Sequence, residues 1–378
     1  MKKIKIAFCL RDMQMGGVES VLIRMLDRLS KFKNIDISVM TYAAIKESMY
    51  VEYFAQNPKI KLYSLYPCSW LSTRLPHFFV WRIFVHLLRD IYRNTKRLFI
   101  MRKFKDVDVF IDYHDFGFYN ELKCVKNAKK IAWFHSSINV FAKRKFINKI
   151  DVYDKVVVLT DEFIDYFDKI YPNKNNKLVR IYNPIDITDI KNKSGQKMKI
   201  IAGDYFCAVS RLTPDKDIRT LLNGFDFFWN MNNKPNILLV VIGGGNKRSE
   251  YEAYAKKLKS SKQILFVGAQ KNPFVYMKHA RANILSSFGE GLPTVLIEAG
   301  ALNLLNIASA CKCGPREILL NGRGGLLFEP GDSGELAKCL SDVYNNNVDI
   351  KKMTAVSNRA LKRFNPDAII KQIISLIS

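Results

Sequence analysis

Ser287-Phe288-Gly289-Glu290-Gly291-Leu292-Pro293-Thr294-Val295-Leu296-Ile297-Glu298-Ala299 is the stretch on which the reading of this chain turns. It follows the short apolar run Ala282 to Leu285, which reads as a buried strand, and passes through two glycines and a proline into a helical pattern that ends near Leu302. Pro293 suits the first turn of that helix, where a missing N–H costs nothing. The helix N-terminus then opens just past the strand, with unpaired amides and a positive dipole end, a good place for a phosphate. Glu290 and Glu298 flank the same place. Carboxylates repel phosphate, so if both face one pocket they accept hydrogen bonds from hydroxyls. Phosphate beside hydroxyls is the chemistry of a nucleotide sugar.

Outward from that stretch, strand and helix patterns alternate. Strands are expected at 3–10, Ile35–Thr41, Ile60–Leu65, Val107–Ile111, Lys130–Phe134 and Lys155–Leu159, and again at Tyr205–Ser210, Ile237–Ile242 and Ile264–Val267. Alternation of this kind predicts an α/β protein with parallel sheets covered by helices on both faces. Asn183-Pro184-Ile185-Asp186 stops one series, and the polar, lysine-rich Lys191–Lys199 reads as a linker before the next.

Several loops at expected strand ends carry chemistry. Arg211 and Lys216 lie just past the first strand of the second series, and His135 ends the Lys130–Phe134 strand, both ligand-binding locations in open α/β sheets. Gly16 and Gly17 separate the first strand from a helix, as a tight turn or as a close approach of backbone to a ligand. Arg offers a fork to phosphate oxygens and Lys a mobile point charge, so Arg211, Lys216 and the amides at Gly291–Thr294 would neutralise a departing diphosphate. The chain has no GxxxxGK[ST], so ATP hydrolysis is not indicated.

At 378 residues the chain has room for two domains, and 48% hydrophobic with 25% charged residues is the composition of a folded protein. No apolar run reaches the roughly 18–20 residues of a membrane-spanning helix, and Met1–Leu10 is too short in its apolar core for a signal peptide. Seven scattered cysteines, with Cys311-Lys312-Cys313 lacking a second ligand pair, point to a reducing compartment and no metal site. The net charge of +25 implies an anionic partner: nucleic acid, anionic lipid or a phosphorylated substrate. Residues 74–105 hold nine Arg/Lys and one acid, Asp90. Arg82, His86, Arg89, Arg93 and Arg97 fall at helical spacing, which predicts a basic face for an anionic membrane surface or simply a solvated one.

Taken together these motifs resemble the family 4 retaining glycosyltransferases of the GT-B fold. Glu290 and Glu298, with seven residues between them in Phe-Gly-Glu-Gly-Leu-Pro…Glu-Ala, are similar to the family's E-x7-E element. Val209-Ser210-Arg211-Leu212…Lys216 resembles its diphosphate loop, Met15-Gly16-Gly17-Val18-Glu19 its first glycine-rich loop, and Asn183–Asp186 its entry to the second domain. Gly314…Glu317 and Gly325-Leu326-Leu327-Phe328…Asp332 follow in the expected order.

The resemblance implies two doubly wound Rossmann-like domains facing across a cleft. Residues 1–186 would bind the acceptor, 187–363 the nucleotide sugar, and 364–378 would form a helix crossing back to the first domain. Glu290 would hold the donor sugar's hydroxyls, Glu298 the ribose, and Arg211 and Lys216 the diphosphate. His135 would lie near the transferred sugar. Gly16, Gly17, Gly243, Gly268, Gly289, Gly291, Leu292, Pro293 and Thr294 would line the donor, a UDP- or GDP-linked sugar used without metal or other cofactor. The expected activity is retaining transfer to a glycan or lipid-linked acceptor in surface-polysaccharide assembly, by a cytoplasmic protein held peripherally at the inner membrane face through Arg82, Arg89, Arg93 and Arg97. No nucleic-acid partner is expected. The alternatives are a GT-B epimerase or phosphorylase and, from a different class, a basic nucleic-acid-binding protein.

Overall fold

The computed structural model describes residues 3–13, 16–66, 88, 91–92, 94–172, 174–197, 201 and 203–378. Two parallel sheets organise them. The first has seven strands: β1 (Ile4–Leu10), β2 (Ile35–Ala43), β3 (Lys61–Tyr66), β4 (Val109–Asp112), β5 (Lys129–Trp133), β6 (Lys155–Val158) and β7 (Leu178–Arg180), in the order β3-β2-β1-β4-β5-β6-β7. The second has six: β8 (Tyr205–Val209), β9 (Leu238–Ile242), β10 (Ile264–Gly268), β11 (Ala282–Leu285), β12 (Leu305–Ser309) and β13 (Leu326–Phe328), in the order β10-β9-β8-β11-β12-β13. Central strands such as β1 and β11 are mostly apolar, Lys5 and Asn283 excepted, because helices cover both faces of the sheet.

Each order reverses once, between β1 and β4 in the first sheet and between β8 and β11 in the second. At such a reversal the loops leaving the two neighbouring strands diverge to opposite faces and open a crevice at the carboxyl edge. The loops after β8 and β11 carry Arg211–Lys216 and Ser287–Pro293; that after β1 carries Gly16–Gly17.

The chain crosses between the sheets twice. The first crossing follows β7, and Ile185 N–H donates to the Phe364 carbonyl at 3.1 Å, so the second crossing lies beside it. The final helix, Pro366–Ile377, is capped by the Asn365 side chain, which accepts from the amides of Asp367 and Ala368 at 3.0 and 3.1 Å. It buries Ile369, Ile370, Ile373 and Ile377 and packs on the Gly17–Leu29 helix of the first sheet's layer. Burying side chains of this kind is worth ~1.5–3 kcal/mol each.

Two local expectations change. Lys191 lies within a helix, Ile187–Ser194, and not in a linker. The Asp186 side chain accepts from Asp189 N–H at 3.1 Å and starts the helix, while Ile190 and Ser194 bury one side of it. Pro293 is the N-cap of the Thr294–Ala301 helix, with extended backbone, and not its first turn. The expected basic positions Arg82, Arg89 and Arg93 lie outside the described residues, as does Met15.

Candidate functional site

The carboxyl edge of the second sheet assembles from the inside outward. Asn283 of β11 and Asn306 of β12 are fully buried and joined side chain to side chain at 2.8 Å; Asn306 in turn donates to the Leu296 carbonyl at 2.9 Å. This buried polar link ties the Thr294–Ala301 helix to the strands beneath it, since two amides that deep must find partners. Above it, Ser309 Oγ donates to the Ser287 carbonyl at 2.6 Å and Ser286 Oγ to the Lys216 carbonyl at 2.9 Å. Phe288 N–H donates to the Asp215 carbonyl at 3.0 Å. The loops after β8 and β11 are therefore stitched into one surface.

Lys216 and Glu290 meet on that surface. Lys216 Nζ donates to Glu290 Oε1 at 2.6 Å, and Ser287 Oγ donates to the same oxygen at 2.6 Å. Both charged side chains are largely enclosed, 13% and 11% exposed, so each stabilises the other where neither would be comfortable alone. Arg211 lies further out, its guanidinium 3.9 Å from Asp215 and mostly in solvent. Burial by itself would raise the Asp215 carboxyl, but the Thr213 hydroxyl, Lys216 and Arg211 outweigh it and hold the group below its usual range. Among the described residues no side chain or backbone group donates to the Glu298 carboxyl. Enclosure pushes its carboxyl up, and the nearest compensating charges are Arg24 and Lys193.

Across the cleft stands the carboxyl edge of the first sheet. His135 N–H donates to Asp115 Oδ1 at 2.6 Å, and Ser136 Oγ donates to the other Asp115 oxygen. The His135 ring meets Tyr113 edge-on at 4.5 Å, and its Nε2 is buried and without a partner among the described residues. Burial, with His114 beside it, drives the imidazole down to about 3, so His135 is neutral. Asp112 holds the neighbouring loop: it accepts from Tyr153 Oη at 2.7 Å and Phe118 N–H at 2.9 Å, and burial raises it to about 6.

The two edges touch through glycines. A Cβ on Gly291 would sit 1.9 Å from the His135 carbonyl oxygen, and one on Gly289 would sit 3.2 Å from Ser137 Oγ. A Cβ on Gly17 would sit 4.0 Å from Thr294 Oγ1, so Gly17 borders the cleft from the first domain. Gly243, at φ +149°, backs directly onto the Ser210 carbonyl, where any side chain would collide; it supports the Arg211 loop from behind. Gly268 packs against Arg248. Leu292 and Pro293 are buried, so they offer backbone and not side chain to the cleft.

Lys216, Glu290, His135, Gly17, Gly289, Gly291 and Thr294 thus come together, with Arg211 at the rim. Arg97 does not belong to this group or to an outward basic face. Its guanidinium is turned to Glu121, 1% exposed, at 3.7 Å, because a carboxylate that deep needs a counter-charge. Sequence reasoning passed over Ser287, Asp215 and Asp115; Ser287 and Asp215 adjoin singled-out positions, whereas nothing local marks Asp115. Among the described residues no cluster of three or more His, Cys, Asp or Glu could hold a metal ion, and no helix is long and apolar enough to cross a membrane.

Comparison with known proteins supplies the family. Residues 189–363 match the family described as Glycosyl transferases group 1. An uncharacterized glycosyltransferase of Methanocaldococcus jannaschii is 29% identical over 254 residues, 60% of this chain and 61% of that protein. A Campylobacter jejuni protein named GalNAc-alpha-(1->4)-GalNAc-alpha-(1->3)-diNAcBac-PP-undecaprenol alpha-1,4-N-acetyl-D-galactosaminyltransferase is 25% identical over 391 residues, 99% of this chain and 98% of that protein. Among solved structures, Anabaena Alr3699/HepE in complex with UDP superposes with a TM-score of 0.75 at 16% identity, over 99% of each chain. Residues 189–363 are a glycosyl transferases group 1 domain, and the chain as a whole has the GT-B fold of these structures.

Proposed function

We propose that the protein is a retaining glycosyltransferase that moves a sugar from a nucleoside-diphosphate donor to a glycan or lipid-linked acceptor in bacterial surface-polysaccharide assembly. The observation that carries this reading is the Lys216–Glu290 pair, 2.6 Å apart at the reversal point of the second sheet and facing His135 across the cleft. The bond that breaks joins the anomeric carbon to the β-phosphate oxygen, and its electron pair leaves with the diphosphate. Lys216 and Arg211 stand where that negative charge grows, so they stabilise the transition state with groups already in place. Glu290, held by Lys216 and Ser287, offers its remaining oxygen to donor hydroxyls. Glu298 is free to accept from the ribose. His135, a neutral ring, suits a sugar hydroxyl better than it suits phosphate, and its buried Nε2 has to be uncovered for that contact. With two cations provided by the chain, we infer that no divalent metal is required.

The similar proteins support the substrate classes: the Campylobacter relative acts on an undecaprenol diphosphate-linked glycan, and the Anabaena structure holds UDP. A peripheral membrane position at the cytoplasmic face fits such an acceptor. It is supported by exposed Leu88, Ile91, Leu98 and Phe99 beside Lys96, Arg102 and Lys103.

A thermal-shift screen against UDP- and GDP-sugars tests the donor, because a ligand that binds only the folded state raises apparent stability. One nucleotide series should raise the melting temperature of the wild type and fail to do so with Lys216→Ala. Turnover of the responding donor with acceptor should survive EDTA. Equal shifts in wild type and variant would remove Lys216 from the site, and an EDTA loss reversed by magnesium would overturn the metal-free mechanism.

A further inference from the structure

Away from the donor contacts, two glutamates from opposite domains each accept from a backbone amide of the other domain. Glu162 is the second residue of the Asp161–Ile170 helix that follows β6, and Glu317 belongs to the Pro315–Ile318 turn that follows β12. The first amides of a helix have no partner within it. Thr160 Oγ1 serves Phe163 N–H at 3.2 Å, leaving that of Glu162, which donates to Glu317 Oε2 of the other domain at 2.9 Å. The exchange is mutual: Gly314 N–H donates to Glu162 Oε2 at 3.1 Å. Glu317's second oxygen accepts from Tyr182 Oη at 2.5 Å. Tyr182 packs edge-on against Phe364 at 4.9 Å, and Arg363 donates to the Glu317 and Ile318 carbonyls at 2.8 and 3.1 Å. Tyr182 and Phe364 stand one on each crossing between the domains.

This arrangement gathers two carboxylates of like sign in a half-buried seam, where enclosure raises Glu162 and Glu317 adds to the effect. Leucines or methionines would hold a permanent interface there at less electrostatic cost. Directional contacts that can be made and broken suit a joint that closes and opens. The seam also adjoins the donor loop. Gly314, at φ +106°, is wedged so that a Cβ would meet Pro293 Cδ at 2.5 Å and the Gly291 carbonyl at 3.2 Å. Glu162 holds Gly314, Gly314 backs Gly291–Pro293, and Gly291 rests on the His135 carbonyl.

We propose that Glu162 and Glu317 are positioning residues that latch the closed cleft by accepting from backbone amides across the domain boundary, Glu162 from Gly314 and Glu317 from Glu162, and so set the distance between the donor loop and His135. The proposal rests on the cleft being the transfer site, but its first readout does not.

The test is small-angle X-ray scattering of the substrate-free protein, followed by steady-state kinetics, for Glu162→Ala, Glu317→Ala and Glu162→Gln. Loss of the latch lowers the closed fraction, and apparent affinity falls by that fraction while saturating donor restores closure. The alanine variants should therefore show a larger radius of gyration and a donor KM raised on the order of tenfold, with kcat near wild type. Glu162→Gln keeps an acceptor for the Gly314 amide and should restore both. Unchanged scattering with unchanged KM would overturn the latch. So would a fall in kcat at constant KM with a lowered melting temperature, which is the signature of damaged folding alone. Wider scattering in a protein that turns over no nucleotide sugar would support the latch and count against the transferase reading.

Discussion

Lys216 and Glu290 neutralise one another at 2.6 Å before any donor arrives, while His135 faces them as a neutral ring. That neutrality has a consequence for stability. In the unfolded chain the imidazole titrates near its ordinary 6.5; in the folded protein burial lowers it to about 3. Between those values the unfolded state binds the proton and the folded state does not, so stability rises with pH through this window, and is lost on acidification, by up to ~1.4 kcal/mol per pH unit. Asp112 works in the opposite sense: raised to about 6 from 3.8, it makes the folded state the better proton acceptor, so acidification through that range favours folding. Removing His135 should therefore flatten the acid limb and leave the Asp112 effect. Melting temperatures at pH 7.5 and 4.5 should differ less for His135→Gln than for wild type. Equal differences would show that His135 takes up a proton in the folded state.

The glutamate loop shows how an element acquires its position from contacts far along the chain. Its two glycines allow the backbone to rest on the opposite domain, Gly291 on the His135 carbonyl and Gly289 on Ser137. Gly291→Ala would insert a methyl 1.9 Å from that carbonyl and force the loop or the domains apart. A displacement near 1 Å at a reacting centre costs on the order of a hundredfold in rate. Activity of Gly291→Ala should fall by about that factor with its melting temperature little changed. Gly195→Ala, where the added methyl makes only ordinary 3.5 Å contact, should be silent. Comparable rates for the two variants would show that the approach of the loop to His135 does not matter. The helix over 94–101 makes the converse point. Arg97 points at buried Glu121, while Leu98 and Phe99 are 51% and 62% exposed. Leu98 and Phe99 stand outward beside exposed Asn94 and Thr95, and Arg97 is turned to the fold.

At the scale of the molecule, two domains are joined by two crossings that lie side by side. Arg28 of the first domain's Gly17–Leu29 helix bonds Asp186 at 2.9 Å on one crossing and Asp367 at 2.7 Å on the other. These partly exposed pairs hold the crossings in register more than they add stability, since exposed ion pairs are worth ~0–1 kcal/mol. The whole-molecule property open to direct test is attachment to a membrane. Leu98 and Phe99 would each contribute ~1.5–3 kcal/mol on leaving water for lipid, and nearby lysines and arginines add attraction to anionic headgroups. Replacing both by Glu should release the protein from anionic vesicles in a sedimentation assay while sparing donor binding. Undiminished sedimentation would place the contact elsewhere or deny it.

What the sequence determined by itself is what depends on local order: apolar runs that must be buried strands, glycine and proline turns at their ends, and charged residues spaced to fall in those turns. From these follow two parallel sheets, the loops after β1, β5, β8 and β11, and the choice of Lys216, Glu290 and His135. Only the tertiary structure decided which charges pair with which. Arg97 went to Glu121, Arg28 to Asp186 and Asp367, Glu162 to the Gly314 amide and Glu317 to the Glu162 amide, over separations that no periodicity records. The polar Lys191–Lys199 run likewise looked like a linker, because a short helix paid for by a cap and two buried residues leaves little pattern. The reason is physical. Burial in strands and turns is set by neighbours a few residues away, whereas a buried charge takes whichever partner the folded chain brings within reach.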